Sequence, residues 1–206
     1  MLLETFKIFP KIKFEIIDKK TNIPSYYLLR EINVELDSQH YYNYMQNIFV
    51  SKYLADGILV NSIEKAKKDM TYWRGVFYDN SSLYWAITEI TALDYEKDPD
   101  QINANNIIIG TVGFNYIDIK NNLSCISYDL DYNHWGRGIM RCAINLLCNL
   151  IKEKLNITKT EATVVKNNIN SINALEKNGF YLMKIIKNHE IINSKWVDSY
   201  VYIRNN

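Results

Sequence analysis

Two glycines stand one residue apart in the stretch DYNHWGRGIMRCAINLL, residues 131–147, where a strand-like run gives way to an apolar helix. Glycine at a helix start lowers stability relative to alanine, so a pair of them indicates that the backbone itself comes close to another group. A strand that passes through a glycine turn into a helix aligns free N–H groups at the positive end of the helix dipole, where phosphate oxygens bind well. Gly136 and Gly138 therefore predict a strand–turn–helix unit that can hold a phosphate group.

The spacing of these glycines does not fit two common phosphate-binding loops. A dinucleotide-binding turn has a third glycine in the pattern G-x-G-x-x-G, and Arg141 stands at that position. The chain also lacks the pattern G-x-x-x-x-G-K-[ST]. Arg137 and Arg141 lie one turn apart and can add positive charge, although a solvated Arg137 is an equal alternative. A plain nucleotide-binding protein, which ATP or NAD would stabilise, remains an open interpretation.

The order of the predicted elements indicates one mixed α/β domain. A strand meander precedes the order strand, helix, strand, helix, which favours a mixed, mostly antiparallel central sheet of about seven strands with helices on both faces. Residues 1–24 are predicted to be an N-terminal extension, and residues 25–206 a single domain. The predicted strands are 25–35, 82–90, 106–119, 123–132, 158–167 and two runs within 180–204; the predicted helices are 37–49, 61–78, 138–155 and 168–178, and 94–106 is a predicted polar loop.

The window Asn133–Gly138 resembles the signature [QR]-x-x-G-x-[GA] of the GNAT superfamily of acyl-CoA-dependent N-acetyltransferases. Asn133 replaces the usual Gln or Arg. The segments HWGRGIM, IIGTVGFNYID, NNINSINALEKNGF and WVDSYVYIR are similar to the branch that acetylates ribosomal-protein N-termini at alanine. This likeness runs from Asn106 to Arg204. Before Asn106 it rests on the order of elements alone.

The resemblance implies a set of binding residues and one catalytic residue. Backbone groups of Ile126, Ser127 and Tyr128 are expected to pair with the pantetheine arm of acetyl-CoA. Asn168 matches the asparagine that hydrogen-bonds this arm, and Ser171 matches the proton donor to the departing thiolate; a turn residue and a helix cap are their structural alternatives. The amides expected to hold the pyrophosphate are those of His134, Trp135, Gly136, Arg137, Gly138 and Ile139.

The resemblance also implies an acetyl transfer from acetyl-CoA to a primary amine, either a protein N-terminus or a small-molecule amine. Such a transfer needs close positioning, stabilisation of an oxyanion and a proton for the leaving sulfur. The general base is left open. Relatives carry a glutamate at the positions of Thr163 or Cys125, and the remaining candidates in this chain are water and the carboxylates of Glu161, Asp129, Asp131 and Glu89.

A non-catalytic acyl-CoA-binding module that acts through protein contacts is the alternative function, because the glutamates of relatives are displaced here. The segments expected to define the acceptor pocket, residues 37–60 and 91–105, are the least family-like. They leave the identity of the amine open.

Composition restricts the partners and the compartment. The formal net charge of +1, from 24 basic and 23 acidic residues, provides no field to attract nucleic acid or an anionic membrane. The sequence shows no secretion signal and no apolar run long enough to cross a bilayer. Three cysteines without metal-ligand spacing predict reduced thiols in a cytoplasm and no metal site. We therefore expect a cytoplasmic monomer or homodimer.

Overall fold

An eight-stranded sheet forms the centre of the protein in a computed structural model, which describes residues 2–103 and 105–206. Met1 of the predicted extension and Ala104 of the predicted loop lie outside the described residues. The strand order is β1-β2-β3-β4-β5-β6-β8-β7. The strands are β1 (Ile12–Ile17), β2 (Pro24–Arg30), β3 (Tyr84–Ile90), β4 (Ile108–Asp118), β5 (Leu123–Leu130), β6 (Lys159–Val165), β7 (Tyr181–Ile192) and β8 (Lys195–Asn205).

The mixed, mostly antiparallel sheet confirms the predicted fold class. All neighbouring strands run antiparallel except β5 and β6, which run parallel. One strand more than predicted is present because residues 1–24 contribute β1, whose Ile12 lies opposite Leu29 of β2. The segment predicted as an extension thus supplies an edge strand of the same sheet.

Helices cover both faces of the sheet, as predicted. The α-helices are α1 (Leu2–Phe6), α2 (Val34–Met45), α3 (Ile48–Ser51), α4 (Ile63–Tyr78), α5 (Ala92–Glu96), α6 (Ile139–Leu155) and α7 (Ile169–Glu176). One face packs its buried side chains against α6 and α7, with Ile126 of β5 among them. The other face packs against α2 and α4, with Tyr44 of α2 and Tyr84 of β3 among the buried residues. Side chains alternate along a strand, so β5 presents successive residues to two different environments.

Two helix starts show how well local signals predict boundaries. The sequence predicts Asn61 or Ser62 as the cap of α4, and Ser62 is the cap, because its hydroxyl accepts a hydrogen bond from the Lys65 N–H at 3.1 Å. The predicted start of α2 at Asp37 is wrong, because Asn33 caps the helix and α2 begins at Val34. Asp37 is instead buried in an ion pair with Arg30, with 2.7 Å between its Oδ1 and the arginine Nη2.

The polar segment after β3 also contains regular structure. Thr91 caps α5 by accepting from the Asp94 N–H, and a 3₁₀ turn follows at Pro99–Gln101. The predicted polar loop is therefore a connection built from two short helical turns.

Candidate active site

A gap opens in the sheet where the two parallel strands part. β5 and β6 pair only at Leu123–Lys159, Ser124–Thr160 and Cys125–Glu161. Beyond these pairs β5 continues to residue 130 and β6 to residue 165. We call the space between residues 126–130 and 162–165 the gap.

The register shows which backbone groups of β5 face the gap. The Asp131 N–H donates to the Ile109 carbonyl of β4 at 2.8 Å. Because successive residues of a strand point their backbone groups to opposite sides, Ser127 also directs its N–H and C=O towards β4. Ile126 and Tyr128 direct theirs into the gap. A ligand chain lying in the gap can therefore pair with these two residues as a further strand would.

Trp135 closes one end of this free strand edge. Its indole N–H donates to the Leu130 carbonyl at 2.8 Å. Its ring tilts against Tyr132, with 5.2 Å between the ring centroids. The tryptophan of the glycine turn therefore binds β5 itself and does not simply pack on the following helix.

The two glycines adopt left-handed backbone conformations between β5 and α6. The φ angle is +77° at Gly136 and +84° at Gly138, values that residues other than glycine adopt only with strain. A Cβ atom on either glycine would meet no atom within 4 Å. The conformation therefore requires glycine, and the space in front of the turn is open to a ligand.

Free amides of α6 face the same space. Gly138 caps the helix without a side-chain hydrogen bond, and the Cys142 N–H is the first to bond back, to the Gly138 carbonyl at 3.0 Å. The N–H groups from Ile139 to Arg141 precede that bond, so a 17-residue helix directs unpaired donors and its positive dipole end here. The N–H groups of His134 and Trp135, which were expected to hold the pyrophosphate, donate instead to the carbonyls of Asp131 at 2.9 Å and Tyr132 at 3.1 Å. Within this cradle, residues 134–139 with the first amides of α6, the amides from Gly136 onward therefore suit a diphosphate.

Charged side chains surround the cradle at moderate distances. Arg137 donates from Nη2 to the Asn133 carbonyl at 3.1 Å, and its Nη1 lies 3.9 Å from Oε2 of Glu89. His134 Nε2 lies 3.8 Å from the same Glu89 oxygen, and its Nδ1 lies 3.7 Å from Oδ2 of Asp131. Two of the predicted base candidates, Glu89 and Asp131, thus lie beside the cradle.

The predicted proton donor meets a tyrosine on the α7 face of the sheet. Asn168, not Ser171, caps α7, because its side chain accepts from the Ser171 N–H at 3.3 Å. The Ser171 hydroxyl is 2.8 Å from the phenol oxygen of Tyr128. Burial raises the pKa of Tyr128, which keeps the phenol protonated. Sequence reasoning identified Tyr128 by its backbone alone and missed this hydroxyl pair.

A second hydroxyl cluster lies on the opposite face. Tyr84 is buried, and its hydroxyl bonds the side-chain oxygen of Asn115 and lies 2.9 Å from the Ser127 Oγ. Burial also raises the pKa of Tyr84. The Asn115 Nδ2 donates to the Cys125 Sγ at 3.9 Å. Nothing in the sequence indicates this cluster, since Tyr84 and Ser127 meet only through the register of three strands.

Glu161 is the candidate base that lies where the strands part. It is opposite Cys125 in the last pair of β5 and β6, and its Oε2 accepts from the Tyr116 hydroxyl at 3.1 Å. Burial raises the pKa of the Cys125 thiol to about 11, so this thiol stays neutral near pH 7. Thr163, at the position where some relatives carry glutamate, lies two residues along β6.

Asp129 lies on the α2 face and is fully hydrogen-bonded. Its Oδ1 accepts from the Tyr44 hydroxyl at 2.6 Å and from the Thr111 N–H at 3.2 Å, and its Oδ2 accepts from the Thr111 hydroxyl at 2.6 Å. Burial raises the pKa of Asp129 to about 6. The carboxylate joins α2 to the sheet beside the gap.

Two features are absent from the part of the chain that the structure describes. Within residues 2–103 and 105–206, no cluster of His, Cys, Asp and Glu side chains has the arrangement of a metal site. Over the same residues, no helix is both long enough and apolar enough to cross a bilayer.

Comparison with known proteins gives consistent matches. Residues 27–181 match the family described as the acetyltransferase (GNAT) domain. An uncharacterized N-acetyltransferase, p20, from Bacillus licheniformis is 35% identical over 95 residues, which cover 46% of this chain and 53% of that protein. The chain thus spans about half the length of the curated relatives it matches.

Solved structures show the same fold. The ribosomal L7/L12 alpha-N-protein acetyltransferase RimL, in complex with coenzyme A, aligns with a TM-score of 0.72 at 20% identity and covers 93% of this chain and 98% of its own. The microcin C7 self-immunity acetyltransferase MccE, in complex with acetyl-CoA and AMP, aligns with a TM-score of 0.71 at 22% identity. This alignment covers 87% of this chain and 92% of MccE. With the gap, the cradle and the matched domain together, the chain belongs to the GNAT family of acetyltransferases.

Proposed function

We propose that this protein is an acetyl-CoA-dependent N-acetyltransferase that acetylates a primary amine. The observation that carries the proposal is the free edge of β5, which leads directly to the glycine cradle at the start of α6. Acetyl-CoA would supply an activated acetyl thioester. A gap for an extended arm and a cradle for a diphosphate, one after the other, match the two parts of coenzyme A.

The chain offers a binding group for each part of the cofactor. Backbone groups of Ile126 and Tyr128 face the gap, whereas those of Ser127, the residue between them, point towards β4. We therefore assign the binding of the pantetheine arm to Ile126 and Tyr128. Asn168 uses its Oδ1 in capping α7, which leaves its Nδ2 to donate to a carbonyl of the arm. We assign the diphosphate to the amides of residues 136–139, because the N–H groups of His134 and Trp135 donate to the Asp131 and Tyr132 carbonyls.

Proton transfer is assigned to groups on both sides of the gap. Ser171 Oγ can donate a proton to the leaving sulfur, and the Tyr128 hydroxyl, 2.8 Å away, can replace it. We propose that Glu161 accepts the proton of the amine, directly or through water, because it lies where the strands part. A gap-facing N–H of β5 is positioned to bind a developing oxyanion. Positioning supplies much of the acceleration in such a transfer.

We propose only the chemical class of the acceptor, which is a primary amine. RimL is described as acting on ribosomal protein L7/L12 and MccE as an immunity acetyltransferase, and both share the fold. A protein N-terminus and a small-molecule amine therefore both remain within the proposal. The near-neutral net charge supports neither nucleic acid nor an anionic membrane as partner. We expect a cytoplasmic monomer or homodimer.

Ligand-induced thermal shift and thiol release test the proposal together. Coenzyme A at a hundredfold excess over its dissociation constant should stabilise the chain by about 2.7 kcal/mol, whereas ATP and NAD should not. Acetyl-CoA should then release free thiol in proportion to added amine across a panel of amino-acid amides, polyamines and N-terminal peptides. Binding without amine-dependent thiol would favour a non-catalytic module, and stabilisation by ATP or NAD alone would refute the cofactor assignment.

A further inference from the structure

The connection between α2 and α4 forms a closed loop within residues 37–60, one of the two segments expected to define the acceptor pocket. We call residues 46–60 the bridging loop; it contains α3 and a 3₁₀ turn at Asp56–Ile58. Gln46 Nε2 donates to the Val60 carbonyl at 2.8 Å, which holds the two ends of the loop together. Its tip is therefore presented as a compact unit and does not trail as an open connection.

One side of the bridging loop contacts the segment that follows β5. The ring of Phe49 stacks on that of Tyr132, with a centroid distance of 4.7 Å and an interplanar angle of 20°. Tyr132 in turn tilts against Trp135 of the cradle. Lys52 Nζ lies 5.3 Å from the centroid of the Phe49 ring. The bridging loop thus contacts the chain segment that directly follows β5, at the open end of the gap.

The other side of the bridging loop contacts the turn between β7 and β8, 137 residues away in the sequence. The Asp56 carboxylate accepts from the Asn193 N–H at 2.8 Å and from the Ser194 N–H at 2.9 Å. Both turn residues adopt left-handed conformations, with φ of 50° and 59°, which aim their two N–H groups together at the carboxylate.

This hairpin extends beyond the end of β6. Ser199 of β8 lies opposite Val165, the last residue of β6, and the turn residue Ser194 lies five residues before Ser199. At about 3.3 Å per residue the hairpin projects about 16 Å past that end. The bridging loop therefore connects a segment beyond β5 to a hairpin beyond β6, and so spans the open end of the gap on the α2 face.

We propose that the bridging loop covers the acceptor entrance and that Asp56 is the positioning residue that latches it to the β7–β8 turn. This inference rests on the proposed function, since it assigns the acceptor to the face that carries α2 and α4. Asp56 is exposed, and its two hydrogen bonds involve no buried core residue, so the contact can open without unfolding either layer. The closed latch limits the size of the amine and keeps bulk water from the thioester.

Asp56→Ala is the test, with Asp18→Ala as its matched control. Asp18 also accepts two turn amides, those of Lys20 and Thr21 at 2.8 Å, but in the β1–β2 hairpin at the opposite edge of the sheet. Amide hydrogen exchange at residues 193 and 194 should become at least tenfold faster in Asp56→Ala only. Asp56→Asn retains one acceptor oxygen and should restore part of the protection.

Two activity measurements then separate a latch from a purely structural contact. Without amine, bound acetyl-CoA should hydrolyse at least threefold faster in Asp56→Ala: water bonds to the acetyl carbon, the carbon–sulfur bond breaks, and acetate and the CoA thiol leave. The kcat/KM ratio for tryptophanamide over alaninamide should rise through KM, while the thermal shift by coenzyme A stays unchanged.

Each outcome decides one hypothesis. If amide exchange at residues 193 and 194 is unchanged in Asp56→Ala, Asp56 does not latch the loop. If these amides exchange faster but acetyl-CoA hydrolysis is no faster than in Asp18→Ala, the bridging loop does not cover the acceptor entrance. A wild-type chain that coenzyme A does not stabilise refutes the proposed function instead. In that case the exchange measurement still tests the contact of Asp56 by itself.

Discussion

Replacing Gly138 by alanine separates the backbone role of the glycine from its role towards the ligand. At φ +84° an alanine costs about 1–2 kcal/mol relative to glycine, because its Cβ crowds the following carbonyl. The new Cβ would meet no other atom within 4 Å, so no clash with a neighbouring residue increases this conformational cost. For a chain of this length the melting temperature should fall by about 2–8 °C.

The same methyl group would occupy the cradle in which we place the diphosphate. We expect Gly138→Ala to bind coenzyme A at least tenfold more weakly. With ligand at a hundredfold excess over the wild-type dissociation constant, stabilisation should then fall from about 2.7 to about 1.4 kcal/mol or less. Differential scanning fluorimetry with and without coenzyme A measures both effects.

Gly179→Ala supplies the matched control. Gly179 has φ +77° and equally open space around it, but it follows the far end of α7 from Asn168. It should lose a similar amount of stability and keep the full thermal shift with coenzyme A. If Gly138→Ala retained the full shift as well, the cradle would not hold the diphosphate and the assignment of residues 136–139 would fail.

Five further variants test the site and its supports. Ser171→Ala should lower kcat about 100-fold while the thermal shift by coenzyme A persists, and Tyr128→Phe should lower kcat without abolishing it, as measured by thiol release. Since burial raises the pKa of Asp129 to about 6 from 3.8, its stabilising contribution is full below about pH 4 and is lost as the pH rises through 6; Asp129→Asn should flatten that fall in urea unfolding. Asp37→Ala should lower the free energy of unfolding by about 3–5 kcal/mol, because Arg30 stays buried without its carboxylate; the double variant Arg30→Met/Asp37→Leu should recover most of this in the same assay.

Local chemistry predicted the elements of the fold better than their exact limits. Ser62 and Gly179 act within one helical turn: the sequence predicts Asn61 or Ser62 as the cap of α4, where Ser62 serves, and Asn178–Gly179 as the stop after α7, where Gly179 adopts a positive φ. Asp37 carries an equally good capping signal, yet its carboxylate pairs with Arg30, seven residues earlier on β2. Asn33 is also a favoured cap residue, and its side chain accepts from the Leu36 N–H at 3.3 Å. The sequence therefore carries two local signals for this helix start, and the pairing of Asp37 with Arg30, which exists only once helix and sheet pack together, decides between them.

In the candidate site, too, the sequence predicts the features that depend on neighbouring residues and not those that depend on distant ones. The cradle was predictable because its two glycines are adjacent to the strand and helix that they join. The hydroxyl pair of Tyr128 and Ser171 was not, since 43 residues separate them and the parallel pairing of β5 with β6 brings them together. The contact of Tyr84 with Ser127 likewise depends on the register of β3, β4 and β5.

Topology explains why the gap and the cradle occur together. β5 and β6 form the parallel pair among otherwise antiparallel neighbours of the described sheet, and parallel strands need a crossover, which α6 provides. A crossover helix starts where the first strand ends, so the free amides of α6 lie at the same end of β5 where its edge is unpaired. We therefore propose that backbone donors provide the anion site, which would allow a chain with a net charge of +1 to bind a diphosphate without a basic surface. Reversing the charge of Arg137 should accordingly weaken coenzyme A binding less than Gly138→Ala does; the opposite order of affinities would place the recognition in side chains.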